Sequence, residues 1–384
     1  MLLIKNGSVH LADGTSEKLD ILCKDSKITR IAADIPEGTA TVIDATGLQV
    51  FPGYVLAVSS VGAHGFSERV RDDSETTSPL NPQLDIVYSL DIREVLVQRF
   101  LRAGITSYGL SPGPLSLLAG QMALVATAGS RMSDLVLRRS IALKANFTGM
   151  VKAAQGDKPP RSRMAMYATL DEAFRVAVEY MAKEKKDYDE KNEVLARVLR
   201  REIPFFVNAY ASREIASMLE LAAKYQLRLV INGAFDVASC AEEIIAAGHH
   251  VVLGDVTYIL DGIKYQTDMG KLCELSRQGL KLSLASSNDT AYPAGYEQIL
   301  WSAALMHRAG ATPAEILNML TINPAQALGV DDLVGSLAEG KRADILICQG
   351  DPIARYDARV HCAIVAGKVA YSFDGEGSDL HVAH

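Results

Sequence analysis

The sequence lacks most of the features that assign a protein quickly. No run of residues approaches the ~18 uncharged apolar positions needed to cross a bilayer, so a membrane partner is not expected. Positive charge is not in surplus: 39 Lys and Arg stand against 46 Asp and Glu, a net charge of −7. That balance offers no general attraction to phosphate backbones or anionic lipid, and a nucleic-acid partner is not expected either. Five cysteines, Cys23, Cys240, Cys273, Cys348 and Cys362, are scattered without any CxxC spacing. They suit reduced, mostly buried thiols rather than a disulfide framework. The eight histidines form neither His-x-His nor His-x-x-x-His, the spacings that place two imidazoles on one metal. The stretch Met1 to Gly7 reaches a lysine and a turn pair too early for the apolar segment of a secretory signal, so a cytoplasmic location is expected.

What the chain does have is apolar mass: 48% of 384 residues, with 22% charged, enough for a large core. The first fifty residues alternate short β-rich runs with turns such as Asn6-Gly7, Asp13-Gly14 and Thr46-Gly47, and the last fifty share that texture. Two strand-rich ends imply that the termini pair with each other. Between them, apolar runs alternate with amphipathic stretches: Ile215 to Lys224 precedes Leu227 to Ile231, and Ala241 to Ala247 precedes Val251 to Leu253. That is the rhythm of a parallel sheet. Its length without a linker favours one barrel over two doubly wound domains. The expectation is an α/β chain with a (β/α)8 TIM barrel over 52–334 and a small composite β-sandwich from 1–51 plus 335–384. The mixed-sign stretch Lys183 to Lys191 reads as a solvated connection.

Several segments in order carry a resemblance to a known family. They are Ile4-Lys5-Asn6-Gly7, Ala45-Thr46-Gly47, Pro52-Gly53, Ala103-Gly104-Ile105-Thr106, Gly120-Gln121, Arg163-Met164, Thr321-Ile322-Asn323-Pro324-Ala325 and the closing run Gly335 to Asp344. By these the chain resembles the amidohydrolase superfamily, and within it the imidazolonepropionase-like amidohydrolases. The resemblance implies the same barrel and sandwich, one or two divalent metals at the barrel's C-terminal face, and hydrolysis of C–N bonds in cyclic amide-type substrates.

The metal-ligand positions that the resemblance implies hold other residues here. The first-strand aspartate and two histidines fall at Leu56, Val58 and Ser60, and the lysine after Gly-Gln falls at Ala126. The fifth- and sixth-strand histidines fall at Asn208 and Asn232, and the eighth-strand aspartate at Asn288, or at Asp289 with a one-residue slip. Valine and alanine have no lone pair, and serine and asparagine are weak neutral donors, whereas zinc takes imidazole, thiolate or carboxylate. The expectation is therefore no metal and no other cofactor. A mouth lined by Ser60, Asn208, Tyr210, Asn232 and Asn288 suits a small polar molecule, with Arg163 available to pair a carboxylate.

The alternative is an active hydrolase that is metal-independent or uses a rebuilt site near His64 and Asp289. His64 follows the first strand closely enough to reach the mouth, and either assists there or only bonds backbone. Lys144 is open between substrate contact and a structural salt bridge. His249 and His250 precede a strand, on the face opposite the mouth, and read as structural. A homo-oligomer is left open, since members of this superfamily often associate.

Overall fold

The computed structural model describes residues 1–11, 14–65, 71–91, 93, 95–254, 267–285, 298–355 and 357–373. The N-terminal turns and alternating apolar positions give strands β1 (Leu2–His10), β2 (Ser16–Lys24), β3 (Lys27–Ala32), β4 (Thr41–Asp44) and β5 (Gln49–Pro52). Eight further strands follow: β6 (Tyr54–Ser59), β7 (Ile105–Leu110), β8 (Leu118–Ala126), β9 (Val136–Asn146), β10 (Phe205–Ala209), β11 (Leu229–Gly233), β12 (His250–Leu253) and β13 (Lys281–Leu284). The chain returns as β14 (Ile345–Gln349), β15 (Arg359–Val365) and β16 (Lys368–Ser372).

The two ends meet where β5 pairs antiparallel with β14, from Gln49 opposite Cys348 to Pro52 opposite Ile345. The resulting sheet runs β16-β15-β14-β5-β1-β2-β3, with β4 also on β1. It is one continuous hydrogen-bonded sheet built from both chain ends. The reason lies in β1, whose pairing with β2 shifts register between Ile4 and Gly7. The first half of β1 then runs parallel to β4 and the second half parallel to β5. Leu2, Ile4, Val9, Ile21, Val50, Ile345 and Ile364 form its core.

The other sheet, β13-β12-β11-β10-β9-β8-β7-β6, is a nearly closed barrel, its end strands β13 and β6 lying against each other. It departs from strict (β/α)8 order at one place. Strand β8 is antiparallel to both β7 and β9. Residues 111–117, which join β7 to β8, are too few for a helical crossover, and only an antiparallel neighbour can be reached by so short a link. From β9 onward the expected alternation holds. The helix Ser212–Tyr225 links β10 to β11, Ala241–Ala247 links β11 to β12, and Met269–Arg277 links β12 to β13.

The helix Ser212–Tyr225 shows why these residues fold this way. Ile215, Met218, Leu219, Leu221 and Ala222 recur at helical spacing and are all buried, each large one worth about 1.5–3 kcal/mol against exposure. Glu214 caps the start by accepting from the Tyr210 and Ala211 amides at 2.9 and 3.2 Å, and Gln226 ends the helix in a left-handed conformation. The stretch 183–189 joins the helices Arg163–Ala182 and Glu190–Leu199 and is mostly exposed, as its charge pattern indicates.

Strand parity fixes what faces the barrel interior. Phe205 packs on Phe174 of the outer helix Arg163–Ala182 at 5.2 Å between ring centroids, so Phe205 points out. Phe206 and Asn208 therefore alternate to the inside.

At the opposite end, His250 is the first residue of β12, buried, with Nδ1 unpartnered. Burial first, then the charges of Lys281, Arg228 and His249, lower its pKa from 6.5 to about 3. The folded protein keeps a neutral ring while the unfolded chain binds a proton, so stability falls as pH drops from about 6.5 towards 3. Replacing His250→Gln should flatten that fall by on the order of 3 kcal/mol between pH 7 and pH 4. Urea unfolding at the two pH values checks it; an unchanged difference would contradict the burial argument.

Candidate functional site

The pairing registers bring three amides to one rung of the barrel. Asn146 on β9 stands opposite Asn208 on β10, which stands opposite Asn232 on β11. Val252 and Ser283 continue the rung on β12 and β13. Adjacent strands lie about 4.8 Å apart, so in-register asparagines can bond side chain to side chain. Asn208 Nδ2 donates to Asn146 Oδ1 at 2.8 Å, and Asn232 Nδ2 donates to Asn208 Oδ1 at 2.7 Å. All three are fully buried.

Asn146 anchors the chain of bonds. Its Nδ2 donates to the backbone carbonyls of Gly113 and Ser116 at 3.2 and 2.8 Å. Lys144, one rung lower on β9, is also fully buried, and its Nζ donates to Asn208 Oδ1 at 2.9 Å. It stands 5.3 Å from the Phe206 ring. Sequence reading left Lys144 undecided and placed the family's lysine at Ala126. Strand β8 runs backwards, however, so Ala126 lies near the start of β9, at the end of the barrel away from Asn146. The lysine that meets the amides is Lys144, and the signal that would have found it is the reversed strand.

His64 follows β6 and meets Asp73, Nδ1 to Oδ2 at 3.4 Å. Arg71 holds the same carboxylate with Nε on Oδ1 at 2.9 Å and Nη2 on Oδ2 at 2.8 Å, and Ser74 Oγ donates to Oδ1 at 2.9 Å. Asp73 is buried against the loop after β7, its carbonyl accepting from Gly113 N at 2.8 Å. A Cβ at Gly113 would fall 2.2 Å from Ser74 Oγ, so only glycine permits this approach. Asp73 and Arg71 were not foreseen. Their signal, an alternating Arg-x-Asp in a loop, is too common to select.

Ser60, just past β6, is buried with its Oγ unpartnered, as are Ser283 Oγ and Asn232 Oδ1. Tyr210 leaves β10 with its ring on Phe235 at 5.5 Å. A Cβ at Gly233, where φ is +86°, would meet that ring at 2.3 Å. Arg163 opens the helix Arg163–Ala182 and makes no hydrogen bond or ion pair with the other described site residues. Asn288 and Asp289 lie outside the described residues. His249 and His250 sit at the start of β12, away from the amides.

The segment Gly109-Leu110-Ser111-Pro112-Gly113 has Gly-x-Ser-x-Gly spacing but is not an elbow. A nucleophile elbow turns from strand into helix, whereas here β7 leads to β8, and Ser111 Oγ is buried and donates to Pro112 O at 2.9 Å. A cleft of about 510 Å³ lies outside the barrel, lined by Leu80, Leu118, Ala173, Val176 and Leu195. Its polar rim is already engaged: Glu172 binds Arg175, Asp189 caps Asn192 N, and Lys191 Nζ reaches Leu80 O. Among the described residues, no three His, Cys, Asp or Glu side chains gather to hold a metal ion. No described helix is long and apolar enough to cross a membrane.

The Amidohydrolase family profile matches residues 242–370. A crystal structure of an amidohydrolase from Thermotoga maritima MSB8 superposes with a TM-score of 0.89 at 25% identity, covering 97% of this chain and 100% of that one. By these matches the chain shares the fold of that amidohydrolase and is similar in sequence to the amidohydrolase family over its C-terminal third. The dihydroorotase of Streptococcus pneumoniae serotype 4 is 52% identical over 56 residues, 14% of this chain. The imidazolonepropionase of Geobacillus kaustophilus is 41% identical over 70 residues, 18% of this chain. The chain spans only 13% of that dihydroorotase and 16% of that imidazolonepropionase.

The anchoring role of Asn146 has a measurable consequence. Asn146→Asp cannot donate to the Gly113 and Ser116 carbonyls and would bury a carboxyl against them. It should cost on the order of 3 kcal/mol in urea unfolding at pH 7. A loss below about 0.5 kcal/mol would show that the two carbonyls do not need the amide.

Proposed function

We propose that the barrel binds a small polar ligand and does not carry out metal-dependent hydrolysis. The observation that carries this reading is the saturation of Asn208. Its Oδ1 already accepts from Lys144 Nζ and Asn232 Nδ2, and its Nδ2 is committed to Asn146. A divalent ion at that oxygen would have to displace two donors, and the neighbouring rung positions, Val252 and Ser283, offer a methyl surface and a neutral hydroxyl. Leu56, Val58, Ser60, Asn208 and Asn232, at positions that the resemblance implies for zinc, offer it no imidazole, thiolate or carboxylate. The same reading takes no other cofactor, no nucleic-acid or membrane partner, and a cytoplasmic location, on the strength of the net charge and the absence of long apolar runs. Purified protein should contain well under 0.1 equivalent of zinc, manganese, iron or nickel by mass spectrometry of the ashed sample. A stoichiometric metal that survives dialysis would overturn the proposal.

The His64–Asp73 contact favours a second reading, a metal-independent hydrolase. A carboxylate that orients an imidazole is the arrangement of a general base, and Ser60 Oγ and the amides would receive the substrate. Chelator-treated protein would then hydrolyse some member of a panel of lactams and cyclic imides, and His64→Gln would remove at least 100-fold of that rate. Absence of turnover across the panel, or turnover that His64→Gln leaves intact, rejects this second reading.

A further inference from the structure

The orientation of every amide on the rung is determined by the backbone. The carbonyls of Gly113 and Ser116 only accept, so Asn146 must turn its NH2 to them. Its Oδ1 therefore faces Asn208 and takes that residue's NH2. Asn208 Oδ1 is then forced towards Asn232 and Lys144. Asn232 has to answer with its own NH2, since a flipped amide would set two oxygens 2.7 Å apart. The end of the relay is Asn232 Oδ1, a fully buried acceptor without a partner.

Ser60 Oγ and Ser283 Oγ are likewise unpartnered, but a hydroxyl can donate or accept and so discriminates little. Asn232 Oδ1 can only accept. Leaving such an atom unpaired on binding is what lets a site reject an analogue that lacks the matching hydrogen.

We propose that Asn232 Oδ1 is the specificity-determining acceptor of the barrel, and that the ligand presents an N–H or O–H to it, in the manner of a urea, an amide or a polyol. This rests on the polar-ligand reading above and adds to it the direction of the decisive hydrogen bond. A ligand whose donors are all methylated would leave the oxygen bare and bind about tenfold or more weakly.

The test uses the full chain and two probes of the same ring, 2-imidazolidinone and its 1,3-dimethyl derivative, titrated by ligand-observed NMR. The wild type should prefer the N–H probe by about tenfold or more. Asn232→Leu, which removes the acceptor, should abolish that preference. Should the leucine variant fail to fold, a crystal structure of the wild type soaked with 2-imidazolidinone decides, with an N–H expected within hydrogen-bond distance of Asn232 Oδ1. Equal affinity for the two probes, a probe seated away from Asn232, or a water on Oδ1 that the probe does not displace would overturn the proposal and leave the polar-ligand reading standing. Binding of neither probe, and of no other polar fragment in a wider screen, would remove both.

Discussion

The interior of this barrel depends on one pair of hydrogen bonds, those from the Asn146 amide to two loop carbonyls. They tie the loop after β7 to strand β9, and they set the polarity of a relay that crosses β10 and ends on β11. In a low-dielectric interior such a relay either satisfies each member or is costly. Here it satisfies all but the last oxygen, which concentrates the unmet need for a partner at one atom. The same loop, through Gly113, packs on Asp73 and so on His64, which means that the amides and the imidazole are held by a common piece of backbone.

Much of the fold was legible because it is written in local terms. The alternation of helix and strand from Ile215 onward, the turn pairs near Asn6 and Thr46, and the similarity of the two chain ends each announce an element without reference to anything distant. The reversed strand was not legible. Leu118 to Ala126 reads as a buried strand whichever way it runs, and only the short link from β7 decides its direction. That single ambiguity left Lys144 undecided.

The site was half legible for a related reason. Asn208 and Asn232 stand at strand ends that the resemblance marks, so their positions could be named, and the register sets them side by side. Asn146 could be seen only as a sequon, Asn-Phe-Thr, with no hint that its amide is interior. Asp73 and Arg71 belong to a loop whose packing is decided by the glycine at 113, a contact across the chain that no local pattern encodes.

Pairing of β5 with β14 also bears on how the molecule is assembled during synthesis. The strands β7, β8 and β9 are neighbours along the chain and can close quickly, whereas β5 must wait until the whole barrel has emerged before its partner exists. Until then Val50 and Phe51, both buried in the finished protein, lie on a bare sheet edge of the kind that recruits other chains. Nascent polypeptide of this kind has its greatest need of a holding chaperone in the interval between the two strands, and a pause in translation there would lengthen the hazard.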